Sequence, residues 1–280
     1  MKNKSLKIII LVVLILIILF GLSFWLDFSK KDIKWGITFS SKYAQDELGL
    51  NWQETYLAIL DDLKVNNIRL SAYWNEIEAE RDNYDFGQLD WQINEASKRK
   101  INIILAVGRR LPRWPECHDP EWLSELPQQE AQQEQLELVD LVIKRYRQNE
   151  NIKMWQIENE PYLGTFGQCQ PLNESVFKQE IALTKSLSPK PILVTDSGEL
   201  NFWIKAAKTG AEVIGSTLYR VVYNEKIGYV RYPLPPIFYF AKATLIKTLF
   251  QTKSVIISEL QTDAWHTEKK DLSQMTLAES

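Results

Sequence analysis

The sequence predicts an α/β fold: a (β/α)8 TIM barrel that lacks its eighth strand–helix unit and follows one N-terminal transmembrane helix. Three observations predict it. Beyond Asp32, short apolar runs alternate with amphipathic runs seven times. At ~30 residues per unit this is the rhythm of a barrel that typically takes about 250 residues. Runs such as "INIILAVG" (101–108) are apolar throughout, as strands covered on both faces are. Finally, "MKNKSLK" precedes nineteen uncharged residues, Ile8 to Leu26, long enough to cross a hydrocarbon core as a helix.

The elements follow in order. Residues 1–7 form a basic tail, 8–26 the anchor, 27–32 a polar linker and 33–280 the barrel. The lysines before the anchor place the N-terminus in the cytoplasm and the barrel outside it, on a single-pass protein of the cell membrane. A cleaved signal peptide is the rival, but its apolar region is normally shorter, and only Gly21 and Ser23 offer a cleavage site. Strands are expected at 33–39, 68–74, 101–108, 151–158, 191–197, 212–219 and 253–260. Helices are expected at 52–66, within 84–100, and at 127–148, 174–187, 200–210 and 235–250, with another beginning at 271. The 127–148 helix starts acidic and ends basic, which suits its dipole, and Gly210 is a natural C-cap. An open doubly wound sheet is disfavoured because no Gly-rich turn follows the first strand.

Composition narrows the function. The 280 residues carry a net charge of −3 with no basic run, which argues against a nucleic-acid partner. Two distant histidines, His118 and His266, without HExxH or CxxC, predict no metal site. No GxGxxG or GxxxxGK[ST] occurs, so no nucleotide cofactor is expected. Nothing implies a protein partner. Ten Trp, eleven Tyr and eleven Phe suit a surface that stacks on flat ligand faces.

In a barrel the active site gathers at the C-terminal ends of the strands. Those ends are polar and aromatic here, while the strand bodies are apolar. The second strand carries Arg69 and leads to Trp74. The third ends in "GRRLPRW", the fourth in "ENEP" (158–161), the fifth in "TDSGE", the sixth in "TLYR", and the seventh in Ser258 and Glu259. Glu160 and Glu259 thus face one another across the mouth. Two carboxyls flanking a glycosidic bond are the machinery of most glycosidases. Glu158 falls on Glu160's side by alternation along the strand, and Asp196 and Glu199 are expected to be solvated loop charges.

These residues also carry a family resemblance. "NEP" closing the fourth strand and a Glu closing the seventh resemble the large superfamily of retaining (β/α)8 glycosidases, which includes cellulases and β-galactosidases. "QIENEP", "YDFGQLDWQINEASKRKINIILAVG" and "ISELQ" are similar to the β-galactosidase members, over about residues 33–265. The resemblance implies that Glu160 is the acid/base and Glu259 the nucleophile. It implies that Asn159 binds a sugar hydroxyl and that Arg69 and Tyr219 orient the nucleophile. Trp74, Trp114 and Trp265 are candidate sugar platforms, and His118 is a candidate substrate contact. The partner implied is an oligo- or polysaccharide with β-linkages. A transglycosidase using the same residues, and a sugar-binding barrel without turnover, remain alternatives. Cys117 and Cys169, the only cysteines, lie in loops after strands three and four, neighbours on one barrel face. Outside the cytoplasm they are expected to form a disulfide.

Overall fold

The structure, a computed structural model, describes residues 33–224 and 228–261, with isolated positions at 10, 11, 13–15, 18 and 21. Seven parallel strands form a nearly closed barrel. They are β1 (Ile37–Thr38), β2 (Asn67–Ser71), β3 (Asn102–Val107), β4 (Ile152–Ile157), β5 (Ile192–Asp196), β6 (Val213–Leu218) and β9 (Ser254–Leu260). Each pairs with the next, so among the described residues β1 and β9 are the two edges of a seven-stranded sheet. Among the described residues this is a TIM barrel short of one unit. Between β6 and β9 lies an antiparallel hairpin, β7 (Val221–Asn224) and β8 (Gly228–Arg231).

The helices are α1 (Trp52–Asp61), a single turn α2 (Trp74–Ile77), α3 (Gly87–Lys98), α4 (Gln128–Tyr146), α5 (Glu174–Leu187), α6 (Ile204–Lys208) and α7 (Pro236–Leu249). Their starts follow from local chemistry. The Asn51 side chain accepts from the amides of Gln53 and Glu54, and Asn173 does the same for Ser175 and Val176. Each cap satisfies two of the orphan amides of a helix start. Pro236 opens α7 at the first turn, where a proline loses nothing. The apolar stripes of α1, α3, α4 and α5 bury Tyr56, Ile93, Leu138 and Phe177 in one core with Ile68, Leu70, Ile103, Leu105 and Trp155 from the strands.

Several expectations differ in detail, among them the first strand, expected over 33–39 and formed only at Ile37–Thr38. The helix expected over 200–210 is only Ile204–Lys208, because Trp203 sits at φ 63 and turns inward to donate to the Ser197 carbonyl. The second strand stops at Ser71 instead of Trp74, since Trp74 opens α2. The hairpin β7–β8 was not among the expected strands. The expected anchor at 8–26 lies largely outside the described residues, and no described helix is long and apolar enough to cross a membrane.

Candidate active site

The exit of β4 departs from strand geometry at once. Glu158 and Glu160 have φ of 58° and 41°, a region non-glycine residues occupy at a cost of about 1–3 kcal/mol each. Ties on both sides hold them there. The Glu158 amide donates to Val107, the Asn159 amide to Arg110, and the Glu160 amide to Thr195 Oγ1 on β5 at 2.8 Å. These turns end the alternation that would have put Glu158 beside Glu160. The Glu158 carboxylate points back to the exit of β3, accepting from the amides of Arg109 (2.8 Å) and Arg110 (2.6 Å). Gly108 makes this approach possible: at φ 130°, a Cβ there would lie 2.5 Å from Glu158 Oε1.

Glu259 is held by two long-range partners. Arg69 Nη2 donates to Oε1 at 2.8 Å, and the Tyr219 hydroxyl donates to Oε2 at 2.9 Å. Arg69 is itself buried and fixed by Gln156 Oε1 and Thr38 Oγ1. Tyr219 is anchored through its amide to Glu199. Burial pushes the Glu259 carboxyl up, but Arg69 and the Tyr219 hydroxyl together outweigh it and hold the group below the ordinary carboxylate range. Tyr219 is pushed well above the usual phenol range by burial and by Glu259, so it stays a donor.

Glu160 has the opposite surroundings. It is 5% exposed, and among the described residues no hydrogen-bond partner meets its buried Oε1. Burial, followed by the charges of Glu259 and Glu116, raises it well above the ordinary range. Next to it, Asn159 accepts on Oδ1 from Gln156 and Thr195 and donates from Nδ2 to Glu116 Oε2 at 2.9 Å. The two carboxyls are therefore pushed in opposite directions, Glu160 toward holding its proton and Glu259 toward losing it. That division is what acid-assisted displacement needs.

Arg69, Asn159, Glu160, Tyr219 and Glu259 thus converge. Cys117 and Cys169 are bonded, with Cα atoms 5.3 Å apart. Trp114 is exposed at the rim, its ring 5.9 Å from Phe166. Two sequence expectations are corrected. Trp74 is fully buried, its indole N–H donates to Glu78, and Trp122 covers it edge-on, so no sugar can stack on it. His118 is also buried, against the Tyr73 ring with Nε2 on the Arg113 carbonyl, and burial lowers it to about 4. It is a neutral interior group. Trp265 lies outside the described residues.

Two acidic groups have more definite places than the sequence suggested. Asp196 is buried and accepts from Asn201 and Ser197. Glu199 accepts from Tyr219, Thr217 and Tyr239. Sequence reasoning missed Glu116 altogether. It is 4% exposed, and burial and the charge of Glu259 raise it to about 7. The one available signal was its place, a carboxylate between Pro115 and Cys117 in the loop that leaves β3.

Residues 47–135 match the Glyco_hydro_42 family, described as beta-galactosidase. No curated protein matches the chain. A glycosylated family-10 endo-β-1,4-xylanase of Gloeophyllum trabeum superposes with a TM-score of 0.59 at 14% identity, covering 80% of this chain and 70% of the xylanase. A family-10 endoxylanase from a sugarcane soil metagenome gives 0.59 at 14%, covering 89% and 73%. The β-galactosidase of psychrophilic Marinomonas ef1 gives 0.50 at 12%, covering 67% of this chain and 41% of its own length. At these identities the likeness is one of fold, the (β/α)8 barrel.

Proposed function

We propose that this chain is a retaining glycoside hydrolase that cleaves O-glycosidic bonds of a β-linked glycan by double displacement. The observation that carries the proposal is the opposite surroundings of the two carboxyls: Glu259 is gripped by Arg69 and Tyr219, while Glu160 is buried beside them with no cation bonded to it among the described residues. Ionised Glu259, aimed by Arg69 and Tyr219, attacks the anomeric carbon while protonated Glu160 gives its proton to the leaving oxygen. Glu160, now a carboxylate, takes a proton from water, which releases the sugar from Glu259. Asn159 binds a sugar hydroxyl beside the reacting carbon, and Trp114 offers an aromatic face at the rim. The family match over 47–135 and the glycosidase-type barrel support the reaction class.

The proposal includes location: a barrel on the outer side of the cell membrane, held by the segment 8–26. The charge pattern at the N-terminus and the Cys117–Cys169 bond support it, since disulfides persist outside the cytoplasm. The reaction is tested with 4-nitrophenyl β-galactoside, β-glucoside and β-xyloside, following the first product by proton NMR. Release of the β-anomer, lost in Glu259→Ala, is expected. An α-anomer first product, or no turnover of any β-glycoside, would overturn the mechanism.

A further inference from the structure

Glu116 is placed with care. It stands at φ 76°, its amide donates to the Arg113 carbonyl, and its own carbonyl accepts from the Leu111 amide at 2.7 Å. Cys117, the next residue, is bonded to Cys169. The loop carrying that cysteine presses on Glu116: a Cβ on Gly167 would lie 2.8 Å from the Glu116 Cβ. The side chain is therefore fixed from both sides. Its Oε2 takes the N–H of Asn159, with Arg110 Nε 3.6 Å away. Among the described residues no hydrogen bond reaches Oε1. The carboxyl senses Glu259, and Glu160 senses the carboxyl, so it belongs to the same mouth.

We propose that Glu116 is a third carboxyl of the site and binds the sugar ring held between Glu160 and Glu259, its free oxygen accepting from a ring hydroxyl. The inference rests on the glycosidase reading and narrows the substrate. In a residue this enclosed little water competes for the second carboxyl oxygen, so a sugar hydroxyl that donates there gains a well-sheltered hydrogen bond. The ring must then be a neutral sugar with a free hydroxyl beside Asn159. A uronate whose carboxylate fell there would meet like charge. Glu116 also holds Asn159, so one residue sets both the orientation of that amide and the identity of the sugar.

The test uses the full chain and the monodeoxy forms of whichever aryl β-glycoside the wild type cleaves fastest. One deoxy position is expected to lower kcat/KM by about 10–100-fold in the wild type. The same position should cost less than about threefold in Glu116→Ala, since the acceptor is gone. Should that variant fail to fold, Glu116→Gln carries the test, with the penalty reduced several-fold. Glu116→Gln should also move the alkaline limb of the pH–rate profile to lower pH, because one charge that raises Glu160 is removed. Equal deoxy penalties in all three proteins, with turnover intact, would overturn the role of Glu116 and leave the glycosidase reading standing. The cycle is repeated on equilibrium binding of the methyl glycosides. Absence of turnover would overturn the enzyme reading, while the binding cycle would still support or overturn Glu116 as a sugar ligand.

Discussion

Arg69 on β2 and Glu259 on β9 are 190 residues apart in the chain and joined by an ion pair of 2.8 Å. Arg69 has further partners on β1 and β4. One buried guanidinium thus ties the carboxylate of the last described strand to three others. Buried charges of this kind lose heavily when one partner is removed.

The first prediction concerns that carboxylate. Arg69→Gln removes the main cation that keeps Glu259 ionised, so the acidic limb of kcat/KM should move to higher pH. Activity at pH 7 should fall about 10²–10³-fold, the scale of losing one preorganised electrostatic partner. Tyr219→Phe should shift the limb the same way by less. Stability has the matching sign. A depressed carboxyl pKa contributes stability above its unfolded value and loses it as pH falls through the folded value. Melts of wild type and Arg69→Gln from pH 3 to 7 check this.

The second concerns Glu160. Glu160→Gln should lower kcat by about 10²–10⁴ for unactivated glycosides and much less for dinitrophenyl leaving groups, which need no proton. The alkaline limb should vanish. Steady-state kinetics across leaving groups decide it; an equal loss for both would remove Glu160 as the acid.

The third lies behind the site. Glu158 and Glu180 are both buried and share Gln135, whose Nε2 is 3.2 Å from one and 2.8 Å from the other. Burial, then the charge of Glu158, raises Glu180 well above the ordinary range. The folded state therefore binds the extra proton, and stability falls as pH rises from the unfolded pKa toward the folded one. The slope is at most about 1.4 kcal/mol per pH unit. Glu180→Gln should flatten it, seen in urea melts between pH 5 and 9. A Gln variant that lost stability as steeply as wild type would refute this.

The fourth concerns the disulfide. Cys117 and Cys169 enclose 52 residues of separation, which the loop-entropy account values at about 4 kcal/mol. Cys169→Ser with Cys117→Ser should lower Tm by roughly 10 °C. Because the bond borders Glu116, KM should rise more than kcat falls.

Much of this was legible in the sequence for physical reasons. Strands such as 101–108 are buried on both faces and read as unbroken apolar runs. Strand ends in a barrel collect at one mouth, so Glu160, Glu259, Arg69 and Tyr219 could be grouped before any coordinates. Failures came where the backbone left regular geometry. Trp74 was placed on a strand end, yet the chain turns into α2 there and buries the indole. Alternation alone would aim Glu158 at the site face, but it stops at Ile157, where β4 ends. Glu116 sits in a loop with no period, so only the fold brings it to Asn159. The hairpin β7–β8 had a weak signal in "VVYNEKIGYVRY", two alternating runs parted by a glycine-bearing turn.

The edges of the sheet have a consequence for motion. The strand that carries Glu259 is laddered to β6 alone among the described residues, and Ile257 and Leu260 on it are 44% and 46% exposed. The grip of Arg69 and Tyr219 seats the Glu259 side chain, so ligand, protonation and local opening of this strand become one linked equilibrium. Amide hydrogen exchange would register it directly. Protection along 254–260 should rise when a sugar occupies the mouth and fall as acid neutralises Glu259, while β3 and β4, laddered on both sides, stay protected throughout.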